Sequence, residues 1–229
     1  MSVNDAPLAD TSDMPLVHEA FRRGLGEARE QLSFIDDGDR ERAAHYADYM
    51  RDLLWLLHAH HEGEDELLYP KLVERVPEAR DLFERMDEQH SAVESSLEAA
   101  VAAAVTYGNS ASVADATALA DACEALLTLL ETHLTEEEVD VLPIAARNVT
   151  PEEWGELPGH AMMSYSGDRI WLPFGLATEA FPPEVMTVIL SGPTPIGPMW
   201  NGGGGDAFAG EMRLIRDASA WGSRSGDPS

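Results

Sequence analysis

Two eleven-residue stretches, His60–Pro70 (HHEGEDELLYP) and His133–Pro143 (HLTEEEVDVLP), read as copies of one another. In each, a histidine is followed four residues later by a glutamate (Glu64 after His60, Glu137 after His133), and a proline follows that glutamate by six. Residues four apart lie one above the other on an α-helix, so each stretch presents an imidazole and a carboxylate to one point. The segments leading into them have a helical period. Helix B, roughly 40–75, carries Tyr46, Met50, Leu53, Leu57, His60, Glu64 and Leu67 at alternating spacings of four and three. Helix D, roughly 112–147, follows a Ser110 or Ser112 cap and places Leu119, Ala122 or Cys123, Leu126, Leu130, His133 and Glu137 on one face.

Two further segments repeat the pattern with one histidine each. Helix A, roughly 14–35, has the seam His18, Phe21, Leu25, Ala28, Leu32, Ile35, and helix C, roughly 78–107, has Phe83, Met86, His90, Val93, Leu97, Val101. His18 precedes His60 by 42 residues and His90 precedes His133 by 43, so one αα-hairpin is used twice. Four amphipathic helices with short connections predict an all-α fold, an antiparallel up-down four-helix bundle over residues 12–148. Pro70 and Pro143 each remove a backbone hydrogen bond, and are expected to end or kink their helices.

Inward Glu64 and Glu137 need a compensating cation, because an unpaired buried carboxylate is strongly destabilising. Lys71 is the only lysine in the chain and few arginines fall on the seams. A metal is the better partner. His18, His60, Glu64, His90, His133 and Glu137 converge at one level of such a bundle, a donor set that suits two iron or manganese ions.

This set, His18, His60-x-x-x-Glu64, His90 and His133-x-x-x-Glu137, resembles the hemerythrin-like (HHE cation-binding) family over roughly residues 12–148. The resemblance implies a four-helix bundle with a non-haem centre of two iron ions that reacts with dioxygen, peroxide or nitric oxide. It also implies terminal histidine ligands and bridging glutamates. Oxygen-carrying hemerythrins have a second histidine four residues after the helix C histidine and a carboxylate five after the helix D histidine. Here those positions are Glu94 and Glu138. Glu138 could bridge in place of Glu137, and Glu94 is either a ligand or, as favoured for an acidic helix face, a surface residue. The missing imidazole inclines the reading toward redox chemistry (oxidase-, oxygenase- or catalase-like) and away from reversible oxygen carriage. The alternative is a non-catalytic iron or oxygen sensor, or a metal-binding protein. His61 lies off the His60 seam and is expected to act, at most, behind the ligands; His45 and His160 have no ligand-spaced partner.

Composition sets the outer limits. The 229 residues carry 15 basic and 42 acidic side chains, a net charge of −27, which repels nucleic acid and anionic lipid. Cys123 stands alone, so no internal disulfide forms, and a reducing cytoplasm is the default expectation. Thirteen of 18 glycines and nine of 14 prolines lie in 151–229, a C-terminal extension from residue 149 onward. Pro151 reads as the start of a short helix capped by Thr150, with further short helices near Asp168 and Pro182 or Pro183. GPTPIGPMWNGGGG reads as a loop, DAFAGEMRLIRDASAW as a last helix, and Arg224–Ser229 as a disordered tail. Trp154, Trp171, Phe174, Phe181 and Trp200 require burial, against the bundle or a second subunit in a homodimer. A cap shaping a substrate pocket is the sharper alternative; a reductase or a small-molecule substrate would be a partner.

Overall fold

Apolar residues recurring every three to four positions form helices wherever the sequence carries them, and no strand forms among residues 8–221, which the computed structural model describes. Helix A is two pieces, α1 (Met14–Gly26) and α2 (Ala28–Ser33), rather than one run, joined through Glu27. Helix B begins where the Asp39 side chain accepts from the Arg42 N–H and runs as α3 (Arg40–Gly63), a π turn (Glu64–Leu68) and α4 (Tyr69–Arg75). Helix C is a 3-10 turn (Pro77–Ala79) followed by α5 (Arg80–Ser110). Helix D starts at Ser112, whose side chain accepts from the Asp115 N–H, and runs as α6 (Val113–Glu136), a second π turn (Glu137–Val141) and α7 (Leu142–Asn148).

The helices therefore do not end at the prolines; the disturbance expected there takes the form of a π turn. Pro70 and Pro143 have no N–H, and their rings would strike the carbonyls of Glu66 and Val139 in a regular helix. The wider π turn just before each proline opens the ladder and absorbs the conflict.

Helix α5 lies against α3 and α6, and α1 lies against α6. Their interior is divided into two apolar clusters with a polar layer between. One contains Phe21, Leu53, Leu57, Val93 and Leu130, the other Met14, Leu68, Met86 and Val141. Helix A meets the second cluster, then His18, then the first; helix B meets the first, then His60, then the second. Helices C and D repeat that alternation around His90 and His133.

The extension is helical almost throughout: α8 (Pro151–Trp154), α9 (Glu156–Ser164), α10 (Trp171–Thr178), α11 (Pro183–Ser191), α12 (Ile196–Met199) and α13 (Gly205–Arg216). Thr150 and Glu153 form a reciprocal capping box at α8. Helix α10 contacts both α1 and α3, and its Leu172 and Leu176 join the first cluster. The expected loop GPTPIGPMWNGGGG is non-helical at 192–195 and at a kink on Gly203 but otherwise helical, with α12 leading into a π turn at Trp200–Gly204. Its glycines permit close packing: a Cβ on Gly204 would meet Met199 and Trp171, and one on Gly205 would meet the Trp200 indole. Gly203 alone in that run has a positive φ, 126°. Polar pairs fasten the extension. Arg169 reaches Glu211 at 2.6 Å and Asp52 at 3.5 Å, Tyr165 donates to Asp52, and His45 faces Glu211 at 3.2 Å. The Arg224–Ser229 tail lies outside the described residues. No helix among the described residues is long and apolar enough to cross a membrane.

Candidate metal centre

The polar layer gathers all six residues read from the sequence, together with His61. Two groups form within it: His61, Glu64, His90 and His133, and His18, His60, Glu64 and Glu137. In each group one ligand atom per residue lies within 4.8 Å of the others. Glu64 belongs to both, 3.3 Å from His60 Nε2 through Oε1 and 3.5 Å from His90 Nε2 through Oε2. Glu137 Oε2 likewise stands 3.4 Å from His18 Nε2 and 3.8 Å from His133 Nε2. Each carboxylate thus faces imidazoles of both groups. His90 Nε2 and His133 Nε2 point at one another across 3.2 Å.

Burial defines the chemistry. His18, Glu64, His133 and Glu137 are fully buried, and the His60 side chain is only 8% exposed. Both oxygens of Glu64 and of Glu137, both nitrogens of His61, and Nε2 of His18 and of His60 have no hydrogen-bond partner. Burial, reinforced by the facing Glu137, pushes the Glu64 carboxyl well above its ordinary range. Burial and neighbouring imidazoles push His60 and His61 well below theirs, and His133 down to about 3. Those three rings are neutral at pH 7 and keep a lone pair for a ligand bond. Orphaned buried carboxylates beside neutral imidazoles form a donor set in which the carboxylates can carry their charge only against a cation, so the residues present fit a metal.

The far sides of the rings are held as well. Glu138 Oε1 lies 2.7 Å from His18 Nδ1 and accepts from Arg22 at 2.8 Å; Asp65 Oδ1 lies 2.7 Å from His90 Nδ1; Gln89 Oε1 lies 3.2 Å from His133 Nδ1. Glu138 therefore backs a histidine instead of standing between the groups in place of Glu137. Glu94 pairs with His58 at 3.1 Å, away from the cluster. His45 and His160 also have acidic partners from distant segments, Glu211 and Glu62.

His61 is the residue that sequence reasoning misplaced. It is 4% exposed and lies in the layer, its ring stacked on His90 with centroids 4.4 Å apart. The signal was available: Met50, Leu54, Leu57 and His61 form a second seam spaced four, three and four, and all are buried. An inward helix face is wider than one stripe, so adjacent positions 60 and 61 straddle its centre. Helix B thereby supplies the imidazole that Glu94 on helix C does not.

No curated protein and no solved structure matches the chain. The family model of the hemerythrin HHE cation-binding domain matches residues 10–145, so the chain, with its paired histidine–glutamate stretches at the level where those residues meet, belongs to that family.

Proposed function

We propose that the polar layer holds two iron ions and that the centre carries out redox chemistry on dioxygen, peroxide or nitric oxide. His61, His90 and His133 would hold one ion, His18 and His60 the other, with Glu64 and Glu137 shared. The observation that carries this reading is the pair of donor groups that have Glu64 in common and bury two carboxylates with no protein cation against them. Bound there, the irons would supply one-electron chemistry and a Lewis-acid position for a small oxygen or nitrogen ligand. The alternating order in which the four helices meet the two apolar clusters supports the antiparallel up-down arrangement around them.

The chain's own residues then set the character of the centre. With His61 counted there are five imidazoles, so a missing imidazole no longer argues for redox turnover. The carboxylates behind the rings argue for it instead. Glu138 and Asp65 accept from the Nδ1–H of His18 and His90, which makes those imidazoles more basic and favours the ferric state over return of unchanged dioxygen. The His18 and His60 group, one imidazole poorer, leaves room for an exogenous ligand. Burial of the whole layer restricts that ligand to something the size of a diatomic molecule or peroxide.

Metal analysis of protein made in iron-replete medium, with spectra before and after azide or peroxide, tests the reading. About two irons per chain and a near-ultraviolet band perturbed by peroxide support it; one zinc, or no metal with His60→Ala unchanged, removes it. Reduced protein that binds dioxygen and returns it under vacuum would make the centre a carrier. A second reading, a sensor, is favoured by the orphaned carboxylates, since a fold that strands them depends on its metal. Large stabilisation by iron without turnover would select it.

A further inference from the structure

Tyr69 lies in the second apolar cluster, 7% exposed, and its hydroxyl oxygen is buried without a hydrogen-bond partner. The same cluster holds Leu68, Leu72, Met86 and Leu142, and Phe83 lies against the Tyr69 ring. A phenylalanine would fill the same apolar space without stranding a polar atom, so the oxygen needs a partner from the polar layer. The backbone aims it there. The Tyr69 N–H bonds to the carbonyl of Glu64, five residues back across the π turn, which stacks position 69 on position 64 instead of turning it aside. At the matching position on helix D, where the N–H bonds to the Glu137 carbonyl, stands Leu142. The Tyr69 ring meets His90 edge to face, centroids 5.5 Å apart and planes at 72°. Its hydroxyl bonds to neither the Glu64 nor the Glu137 carboxylate, whose oxygens are likewise buried without partners. A buried donor without a partner, packed on a histidine of a layer whose two carboxylates also lack partners, leaves a place for a third group.

We propose that Tyr69 is a positioning residue whose O–H donates a hydrogen bond to an oxygen ligand held between Glu64 and Glu137. This rests on the iron reading above. The donor acts on one side of the centre alone, because Leu142 has nothing to donate. It would hold that ligand's orientation and withdraw charge from it, tuning the centre without contributing a metal ligand.

The test compares full-length, iron-loaded wild type with Tyr69→Phe by metal count, near-ultraviolet absorption, and resonance Raman of the iron–oxygen bridge in H2O and D2O. Both proteins should hold the same iron. The wild-type bridge vibration should shift in D2O; in Tyr69→Phe that shift should be lost and the near-ultraviolet band displaced. Leu142→Met, which alters packing in the same cluster, should keep the deuterium shift. Identical spectra in wild type and Tyr69→Phe would overturn the donor role. So would loss of iron in Tyr69→Phe, or a visible phenolate-to-iron band present in wild type and absent from it, since either makes the phenol a ligand. An equal change in Leu142→Met would assign the effect to packing and overturn the proposal too. Wild type that binds no iron would bring down the iron reading along with this one, and the metal count separates that case from the others.

Discussion

Glu138 grips His18 from behind: its Oε1 lies 2.7 Å from Nδ1, while the preceding residue, Glu137, faces Nε2 of the same ring at 3.4 Å. Helix B does the same to His90, with Asp65 at Nδ1, 2.7 Å away, and Glu64 at Nε2, 3.5 Å away. Each repeated stretch therefore supplies two consecutive carboxylates, one turned into the layer and one to the back of a histidine from another helix. The back carboxylate fixes the ring's tautomer and angle, leaving Nε2 free for the layer.

Glu138→Ala and Asp65→Ala should each lower metal affinity about 10–100-fold while leaving the helical content unchanged. Competitive titration with iron or cobalt measures it. Glu94→Ala is the control, because Glu94 pairs with His58 outside the layer, and its affinity should match wild type.

Without metal, Glu64 and Glu137 oppose folding, as the upward displacement of Glu64 by burial and by Glu137 indicates. The double variant Glu64→Gln/Glu137→Gln should melt at a higher temperature than wild type after chelation and should take up no iron. Melting curves with and without chelator read both effects. A double variant less stable than the chelated wild type would contradict this account of the layer.

Acid should loosen the extension. Burial raises the Glu211 carboxyl, but His45 and Arg169 outweigh that and leave it below its ordinary value. A carboxyl lowered in the folded state contributes stability that is complete above its unfolded pKa, about 4.3, and disappears as pH falls through the lower folded value. Glu179, lowered by Arg216 and Arg23 against its own burial, has the same sign. Asp52 has the opposite one, since burial raises it despite Arg169. Tryptophan fluorescence should therefore report release of the extension below about pH 4, and in Arg169→Ala at a higher pH than in wild type.

Gly197→Ala should destabilise the protein by about 1–3 kcal/mol. A Cβ there would collide with the backbone carbonyl of Leu190, which cannot swing away as a side chain could. Thermal unfolding measures the loss, and Gly159→Ala, where a Cβ meets nothing, should show none of it.

Much of this protein was legible in its residues because helical period and ligand spacing are local properties. The seams through His18, His60, His90 and His133, and the four-residue steps to Glu64 and Glu137, determined the helices and the donor types before any contact was known. What lay beyond the sequence concerned how wide a buried face is and what stands on the other side of it. Position 61 follows 60 by about 100° of helix rotation, and only packing decided that both rings turn inward. Pro70 and Pro143 announced a disturbance, but whether it became a break or a π turn depended on the layer that Glu64 and Glu137 had to reach. The glycine run near residue 203 looked like a loop by composition; helix runs up to it and onward from it, with Gly203 itself at a non-helical kink, and only Gly204 and Gly205 lie where Trp171, Met199 and Trp200 crowd a missing side chain. Glu138 as a brace for His18, and the Tyr69 ring set edge to face on His90, are relations between different helices. The sequence by itself determined which chemical groups each helix carries and how often they face the same way; the tertiary structure alone decided which of them meet, because a side chain's neighbours across a helix bundle are set by packing and not by spacing along the chain.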